Sequence, residues 1–370
     1  MDQEKRVFLR HSSDSEPGFT RQRKEDRYWA YFDPSGERVT DRETIERLDA
    51  IALPPAYEQA WFCKDANGHL QATGVDARGR KQYRYHEAFR ARRDKKKYLG
   101  TLEFGAALPK LRARVAADLK GRKLGRDTVL AAVVRLLDTQ YLRVGNEQYA
   151  KDNKSYGATT LRSRHVKQAG SKLTMRFKGK HGIVHDVPIT DANLKRIVGR
   201  CHDLPGQNLF QYLGEDGEAC PITSADVNDY IKDATGGEFT AKNFRTWGAS
   251  VIAFDQLLES EEHKRISLKT VLEPVAEALG NTPAISRKSY VHPKLIEVAR
   301  EKPRDPLDGM ERPRARKWLS SSEVGLLAFL AGRKRRKAKP AKPAKVAEAA
   351  IAAAETAGPE QVREAVDAAA

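Results

Sequence analysis

The residues best able to do chemistry lie in the stretch LGNTPAISRKSYVHP, residues 279–293. Tyr290 stands there among Arg287, Lys288 and His292. A tyrosine hydroxyl titrates near about 10 and is a poor nucleophile until neighbouring cations favour the phenolate. The same cations attract a phosphodiester, so the stretch suits attack on a phosphate. A surface tyrosine in a basic loop that merely touches phosphate fits the same residues, and partners from elsewhere must decide. Four other polar positions stand out. Arg143 lies in LLDTQYLRVGNE, at the end of a strong helical pattern and just before Gly145; Lys180 sits at the turn of FKGKHG; Arg245 lies in KNFRTWGAS; Asn281 directly follows Gly280. Singly, each has a plain structural reading: helix-end charge compensation, a solvated hairpin tip, a surface arginine, a C-capping asparagine.

The elements that must position these residues read mostly as helices. Leu272, Val275, Ala276 and Leu279 recur at helical spacing, and Gly280 sits where such a helix stops. Asn281, Thr282 and Pro283 then turn the chain towards Tyr290. Helical periods also cover 108–119, 127–141, 191–201, 223–234, 241–258, 267–279 and 293–300. Within 241–258, Phe244, Trp247 and Val251 would face the core. Residues 172–177 and 183–187 alternate around Gly179-Lys180-His181-Gly182, which predicts a hairpin with Lys180 at its tip. A last helix is expected around 321–330.

Upstream the pattern is different. Tyr28-Trp29-Ala30-Tyr31-Phe32 reads as a strand followed by an Asp33-Pro34-Ser35-Gly36 turn, and Thr40 with Glu43 makes a capping-box signal for a short helix that Pro54-Pro55 closes off. Strands are expected over 59–64, 69–73 and 80–86. The fold class is therefore α+β. Residues 1–20 form a flexible N-terminus, 21–95 a small antiparallel β domain, 96–332 a larger, mainly α domain, and 333–370 a low-complexity tail.

Charge indicates the class of partner. The 370 residues carry a net +17. Residues 333–345 hold eight Lys or Arg and no acid, and residues 346–370 hold five acids and Arg363, so the tail nets +4 and residues 1–332 keep +13. A polyanion is the natural partner, and the Pro-broken basic run cannot bury a core. Such a tail adds salt-sensitive affinity without sequence preference. Cys63, Cys201 and Cys220 are widely spaced and odd in number, which argues against a disulfide framework or a zinc site. No P-loop pattern and no carboxylate cluster with metal-site spacing occurs, so no cofactor and no metal are expected. The first residues hold no apolar signal segment and no later run approaches membrane-spanning length. These features predict a soluble, cytoplasmic, nucleoid-associated protein.

The order Arg, Lys, Arg, Asn, Tyr, together with six blocks, resembles the type IB DNA topoisomerases of the bacterial, poxvirus-like branch. The blocks are GRKQYRYH (79–86), YLRVGNE (141–147), TTLRSRHV (159–166), FKGKHG (177–182), KNFRTWG (242–248) and SRKSYVHP (286–293). They span roughly residues 20–300. The resemblance implies a catalytic domain of the tyrosine recombinase/type IB topoisomerase type and a two-domain clamp on duplex DNA, acting as a monomer without ATP, metal or small-molecule substrate. It implies Tyr290 as nucleophile, forming a 3′-phosphotyrosyl link, with Arg143 and Arg245 on the non-bridging oxygens. Lys180 would be the general acid for the leaving 5′-oxygen and Asn281 a hydrogen-bond donor to the phosphate. Viral and eukaryotic relatives have histidine at the position of Asn281; a neutral amide donates but carries no charge. Arg80, Gln82, Tyr83 and Tyr85 match positions that meet DNA in the major groove, and the resemblance implies Lys242 as a further DNA-binding residue. Alternation puts Tyr83 and Tyr85 on one strand face and Gln82 on the other, so packing of both tyrosines into the β core is the competing reading. Two alternatives stand beside this one. A tyrosine recombinase shares the Arg-Lys-Arg-Tyr set and the LG-x-TP-x₆-Y segment, but usually has histidine where this chain has Lys242. A non-catalytic DNA-packaging protein would account for the charge and would have no use for Tyr290.

Overall fold

The computed structural model describes residues 7–24, 28–170, 172–259, 266–300 and 312–332; the basic tail expected over 333–370 lies outside the described residues. The chain divides into two compact units, the first ending at Lys97 and the second beginning at Tyr98.

The first unit is built on a five-stranded antiparallel sheet. Its strands are β1 (Phe19–Lys24), β2 (Tyr28–Phe32), β3 (Glu58–Phe62), β4 (Leu70–Val75) and β5 (Lys81–Tyr85), in the order β2-β1-β3-β4-β5. Helix α1 (Arg42–Ala50) contributes Leu48 to a small core with Tyr31, Leu53, Ala60, Phe62 and Ala72. Asp41, not Thr40, caps α1: its carboxylate accepts from the Thr44 amide at 2.8 Å. An ionised cap gains from the helix dipole in a way a hydroxyl does not.

Strand β1 had no signal in the sequence because FTRQRK lacks alternating apolar residues. Its Arg21 instead lies 4.2 Å from the centre of the Trp29 ring and donates to the carbonyl oxygens of Leu53 and Pro54. Residues 7–18, expected to be loose, pack against the sheet. Ser12 is buried, its hydroxyl donating to the Leu70 carbonyl at 3.0 Å and accepting from the Leu70 amide at 3.1 Å. The Thr73 hydroxyl donates to Asp14, and the Trp61 indole to the Glu16 carbonyl. The segment is polar in part because a buried strand position that it meets, Thr73, is polar too.

The second unit is mainly helical. Helix α2 (Glu87–Asp118) starts in the first unit and ends in this one. It begins well before the expected 108, because EAFRARRDKKK is dominated by charged residues and, apart from Phe89, offers no apolar face until Tyr98, Thr101 and Phe104 are buried. There follow α3 (Arg126–Gln140), α4 (Glu147–Asn153), a three-stranded antiparallel sheet of β6 (Val166–Ala169), β7 (Lys172–Lys178) and β8 (Val184–Ile189), and α5 (Ala192–His202). A two-stranded ribbon of β9 (Gln211–Leu213) and β10 (Ala219–Pro221) is too short to alternate detectably. The chain continues through α6 (Ser224–Thr235), α7 (Ala241–Glu259), α8 (Leu268–Leu279), α9 (Pro283–Ser289), α10 (Pro293–Arg300) and α11 (Ser321–Leu330).

Helix α7 lies at the centre, packed against α3, α6, α8, α10 and α11. Residues 244–250 are buried on every side, so its arginine cannot be a surface residue. A buried ionic network ties α2, α3 and α11 around it. Arg112 makes paired hydrogen bonds to Asp138 (2.8 and 2.8 Å) and to Glu323 (2.9 and 2.8 Å), and Glu323 also accepts from the Trp247 indole at 2.9 Å. Charges this deep are tolerable only with such complete pairing.

Candidate active site

Four of the five singled-out residues converge on one point of the second unit. Arg143 comes from the loop after α3, Arg245 from the second turn of α7, Asn281 from the end of α8, and Tyr290 from the end of α9. The local reasons differ at each position. Helix α3 ends on Tyr141 in the left-handed region (φ 50°, ψ 30°), which turns the chain sharply and leads into Arg143. The Tyr141 ring lies against Gly248, where a Cβ would come within 2.2 Å of it, so glycine is required in the KNFRTWG block. The Arg143 carbonyl accepts from the Ala158 amide at 2.8 Å, which ties the YLRVGNE loop to the segment that opens TTLRSRHV.

Helix α8 ends at Gly280 with φ +57°, and the Asn281 amide reaches back to the Ala276 carbonyl at 2.8 Å. The asparagine therefore caps through its backbone, which leaves its side chain for the site. The following turn proves to be a short helix, α9, capped by the Thr282 hydroxyl with Pro283 in its first position. Tyr290 sits where that helix ends.

Arg143 Nη1 donates to the Tyr290 hydroxyl oxygen at 3.0 Å, and its Nη2 donates to Asn281 Oδ1 at 3.1 Å. Because a guanidinium only donates, the amide orientation of Asn281 is fixed, and Nδ2 points elsewhere. That Nδ2 is buried and has no hydrogen-bond partner. Arg245 is 4 % exposed and holds two helix ends together, donating to the Tyr141 carbonyl that caps α3 and, at 2.8 Å, to the Leu279 carbonyl that closes α8. Its guanidinium carbon lies 5.0 Å from the centre of the Tyr290 ring, and its Nε is buried without a partner. Two buried donors, one on Asn281 and one on Arg245, thus remain without a partner in residues that adjoin Arg143 and Tyr290. Lys180 is exposed on the turn between β7 and β8 and lines the same cleft as Arg143, His185, Arg245 and Gly280.

Tyr290 is itself buried. Burial, the largest influence, would push its hydroxyl pKa up; Arg245 and Arg143 outweigh it and hold the pKa below the ordinary tyrosine value. The cations at the hydroxyl are therefore not those adjacent in sequence. Arg287 and Lys288 are exposed on α9, and His292 packs edge-on against Tyr98 at 5.2 Å, its amide bonded to the Ser250 hydroxyl. Among the described residues no group of three or more His, Cys, Asp or Glu is placed to hold a metal ion.

Comparison with known proteins places this geometry. Residues 86–309 match the family model described as the catalytic core of eukaryotic DNA topoisomerase I, and residues 28–76 match that of the bacterial DNA topoisomerase IB N-terminal domain. The chain belongs to the type IB DNA topoisomerases. It is 34% identical to DNA topoisomerase 1B of Acanthamoeba polyphaga mimivirus, over 80% of this chain and 94% of that one. It is 22% identical to DNA topoisomerase 1B of vaccinia virus (strain Copenhagen), over 71% and 84%. A solved structure of the XerH site-specific recombinase bound to its palindromic difH substrate overlaps 52% of this chain and 50% of that one, at 16% identity and a TM-score of 0.33, too loosely to argue from. The topoisomerase reading is thereby selected over the recombinase and packaging alternatives. As in the rest of its family, the enzyme class is isomerase, and its substrate is DNA.

The type IB topoisomerase's first unit presents the residues read as DNA contacts as follows. Asp76 accepts from Arg80 at 2.9 and 2.7 Å and from Gln82 Nε2 at 2.9 Å, so one carboxylate organises both side chains. Asp76 was missed in the sequence, although its spacing to Arg80 in VDARGR is that of a carboxylate closing a turn. Gly74 pairs with Gln82 and Thr73 with Tyr83, so the two side chains leave opposite faces. Tyr83 and Tyr85 stack on each other at 6.1 Å, with Tyr85 tilted against Phe89. Neither belongs to the β core, and Tyr83 is 48% exposed. Lys242 is exposed in the first turn of α7 in the second unit, one turn before Arg245. No helix among the described residues is long and apolar enough to cross a membrane.

Proposed function

We propose that this topoisomerase relaxes supercoiled duplex DNA of either sign as a monomer, by transient nicking of one strand through Tyr290. The observation that carries the reading is the convergence on Tyr290 of Arg143, at its hydroxyl, and Arg245, beside its ring, with Asn281 bonded to Arg143 and its own Nδ2 unpartnered. The Tyr290 oxygen attacks a backbone phosphorus and its proton leaves to solvent. The new phosphorus–phenolate bond forms as the bond to the 5′-oxygen breaks. Arg143, the free donors of Arg245 and the Asn281 amide stabilise the extra negative charge on the non-bridging oxygens, where fixed donors in a buried site act most strongly. Lys180 gives its proton to the departing 5′-oxygen, help typically worth about 10²–10⁴-fold. The 3′-phosphotyrosyl ester conserves the energy of the broken phosphodiester, so the 5′-hydroxyl reseals the strand by the reverse path after rotation of the duplex. ATP has no place in such a cycle, nor does a metal ion.

Arg80, Gln82, Tyr83, Tyr85 and Lys242 contribute to DNA binding, and the net +13 on residues 1–332 supports association with the nucleoid. The test is relaxation of negatively and positively supercoiled plasmid in EDTA without ATP, comparing wild type with Tyr290→Phe. Relaxation of both signs by wild type and none by the variant is expected. Full activity in the variant overturns the nucleophile assignment.

A further inference from the structure

His185 has no part in the scheme above, yet it stands between two residues that do. It lies on β8 directly across from Phe177 on β7, and the two rings stack at 5.1 Å with 18° between their planes. The outer edge of the imidazole faces two glycine backbones. A Cβ on Gly179 would meet His185 Nε2 at 2.6 Å, and a Cβ on Gly280 would meet Cε1 at 3.0 Å. Gly179 immediately precedes Lys180, and Gly280 immediately precedes Asn281. Gly280 has its own reason to be glycine, its positive φ. Gly179 does not: its φ of −88° and ψ of −164° are open to any residue, so what its missing side chain accommodates is the ring. Burial, then the charges of Arg245 and Arg143, hold the His185 pKa below the ordinary value.

We propose that His185 is a positioning residue: its ring is the spacer that sets the Lys180 turn against the Gly280–Asn281 corner, at the separation that proton transfer to the leaving oxygen requires. This rests on Lys180 being the general acid. Without the ring the β7–β8 turn loses its stop against α8, and Lys180 moves relative to the scissile bond. Arg143, Arg245 and Tyr290 are held by other contacts and stay in place. The defect is therefore specific to the leaving group, since displacement of a catalytic group by about 1 Å costs on the order of 10²-fold.

The experiment is single-turnover cleavage by the full-length protein of two duplexes, one with the normal 5′-oxygen at the scissile phosphate and one with sulfur at that bridging position. A thiolate leaves without a proton, so the sulfur duplex does not need the acid. His185→Ala is expected to cleave the oxygen duplex at least about tenfold more slowly than wild type and the sulfur duplex within about threefold of it. Lys180→Ala is the control and should show the same pattern more strongly. If Lys180→Ala is not rescued by sulfur, the general-acid reading fails and this inference fails with it. If Lys180→Ala is rescued while His185→Ala is slow on both duplexes, or normal on both, only the role of His185 is overturned. Gly179→Ala makes the test independent of whether His185→Ala folds. Its new methyl displaces the ring, so it should reproduce the oxygen-selective loss and add nothing further in the His185→Ala background. Full additivity of the two changes would overturn the proposal.

Discussion

Asn281→Ala removes one hydrogen bond that the folded chain makes and one donor that it leaves unpaired. The first is the bond from Arg143 Nη2 to Oδ1 at 3.1 Å; with a charged donor it contributes typically about 1.5–3 kcal/mol. The second is the buried Nδ2, and leaving such a group unpaired costs about 1–3 kcal/mol. Truncation loses the one and relieves the other. Stability is expected to change by no more than about 1 kcal/mol, a Tm shift of about 2–4 °C for a unit of this size. Cleavage should behave quite differently, because losing one fixed donor to developing charge costs about 10²–10³-fold in rate. Single-turnover cleavage of a duplex whose short 5′ fragment dissociates would read the rate, and thermal unfolding of the same samples the stability. Asn281→Asp adds a second arm. A carboxylate pairs with Arg143 and repels the phosphate, so this variant should be slower than the alanine one while melting no lower than wild type. A Tm fall of 10 °C or more with cleavage within about threefold of wild type would refute the argument, since it would make Asn281 a structural residue.

Arg245→Ala should combine both kinds of loss: the Tyr141 and Leu279 carbonyls lose their donor, for about 3 kcal/mol of destabilisation by thermal or urea unfolding, and cleavage fails as well. The pH dependence of cleavage carries its own sign. Arg245 and Arg143 hold the Tyr290 hydroxyl below its ordinary value against burial, so phenolate is populated at lower pH and the ascending limb of the rate profile should lie below about 10. Arg143→Gln should move that limb to higher pH, and an unmoved limb would mean that Tyr290 ionisation does not govern the rate. Glu323→Gln should destabilise the second unit by about 3 kcal/mol at neutral pH, as partial disruption of a buried pair. Burial opposes ionisation of Glu323, but Arg112 outweighs it and lowers the carboxyl pKa, so this stability is present above the unfolded value of about 4.3 and disappears as pH falls through the folded one. The Tm curves of wild type and variant should therefore converge in acid.

Much of the second unit was legible because its helices bury one apolar face each. The periods over 127–141, 191–201, 223–234, 241–258 and 267–279 lie within a residue or two of α3, α5, α6, α7 and α8. Where burial is not one-sided the signal fails. The first turns of α2 are mostly charged and show no apolar period, β1 is carried by Arg21 lying against Trp29, and residues 7–18 meet a polar strand position, Thr73, with a polar side chain. Asp76 and His185 escaped for another reason. Their significance lies in what they face, Arg80 and Gln82 for the first and two glycine backbones for the second.

By itself the sequence determined the kinds of residue available for chemistry, the order in which they occur, and the glycine that ends α8 just before Asn281. Those are properties of side-chain type and short-range backbone preference. Only the tertiary structure decided which cations serve Tyr290. Arg287 and Lys288, its neighbours in the chain, lie exposed on α9, whereas Arg143 and Arg245 arrive from the loop after α3 and the second turn of α7. A helix sends consecutive side chains out in different directions, so adjacency in the chain says little about who meets a buried hydroxyl. The packing of α3, α7 and α8 around a shared core, with Arg245 bonded to two of their ends, is what brings the charges there.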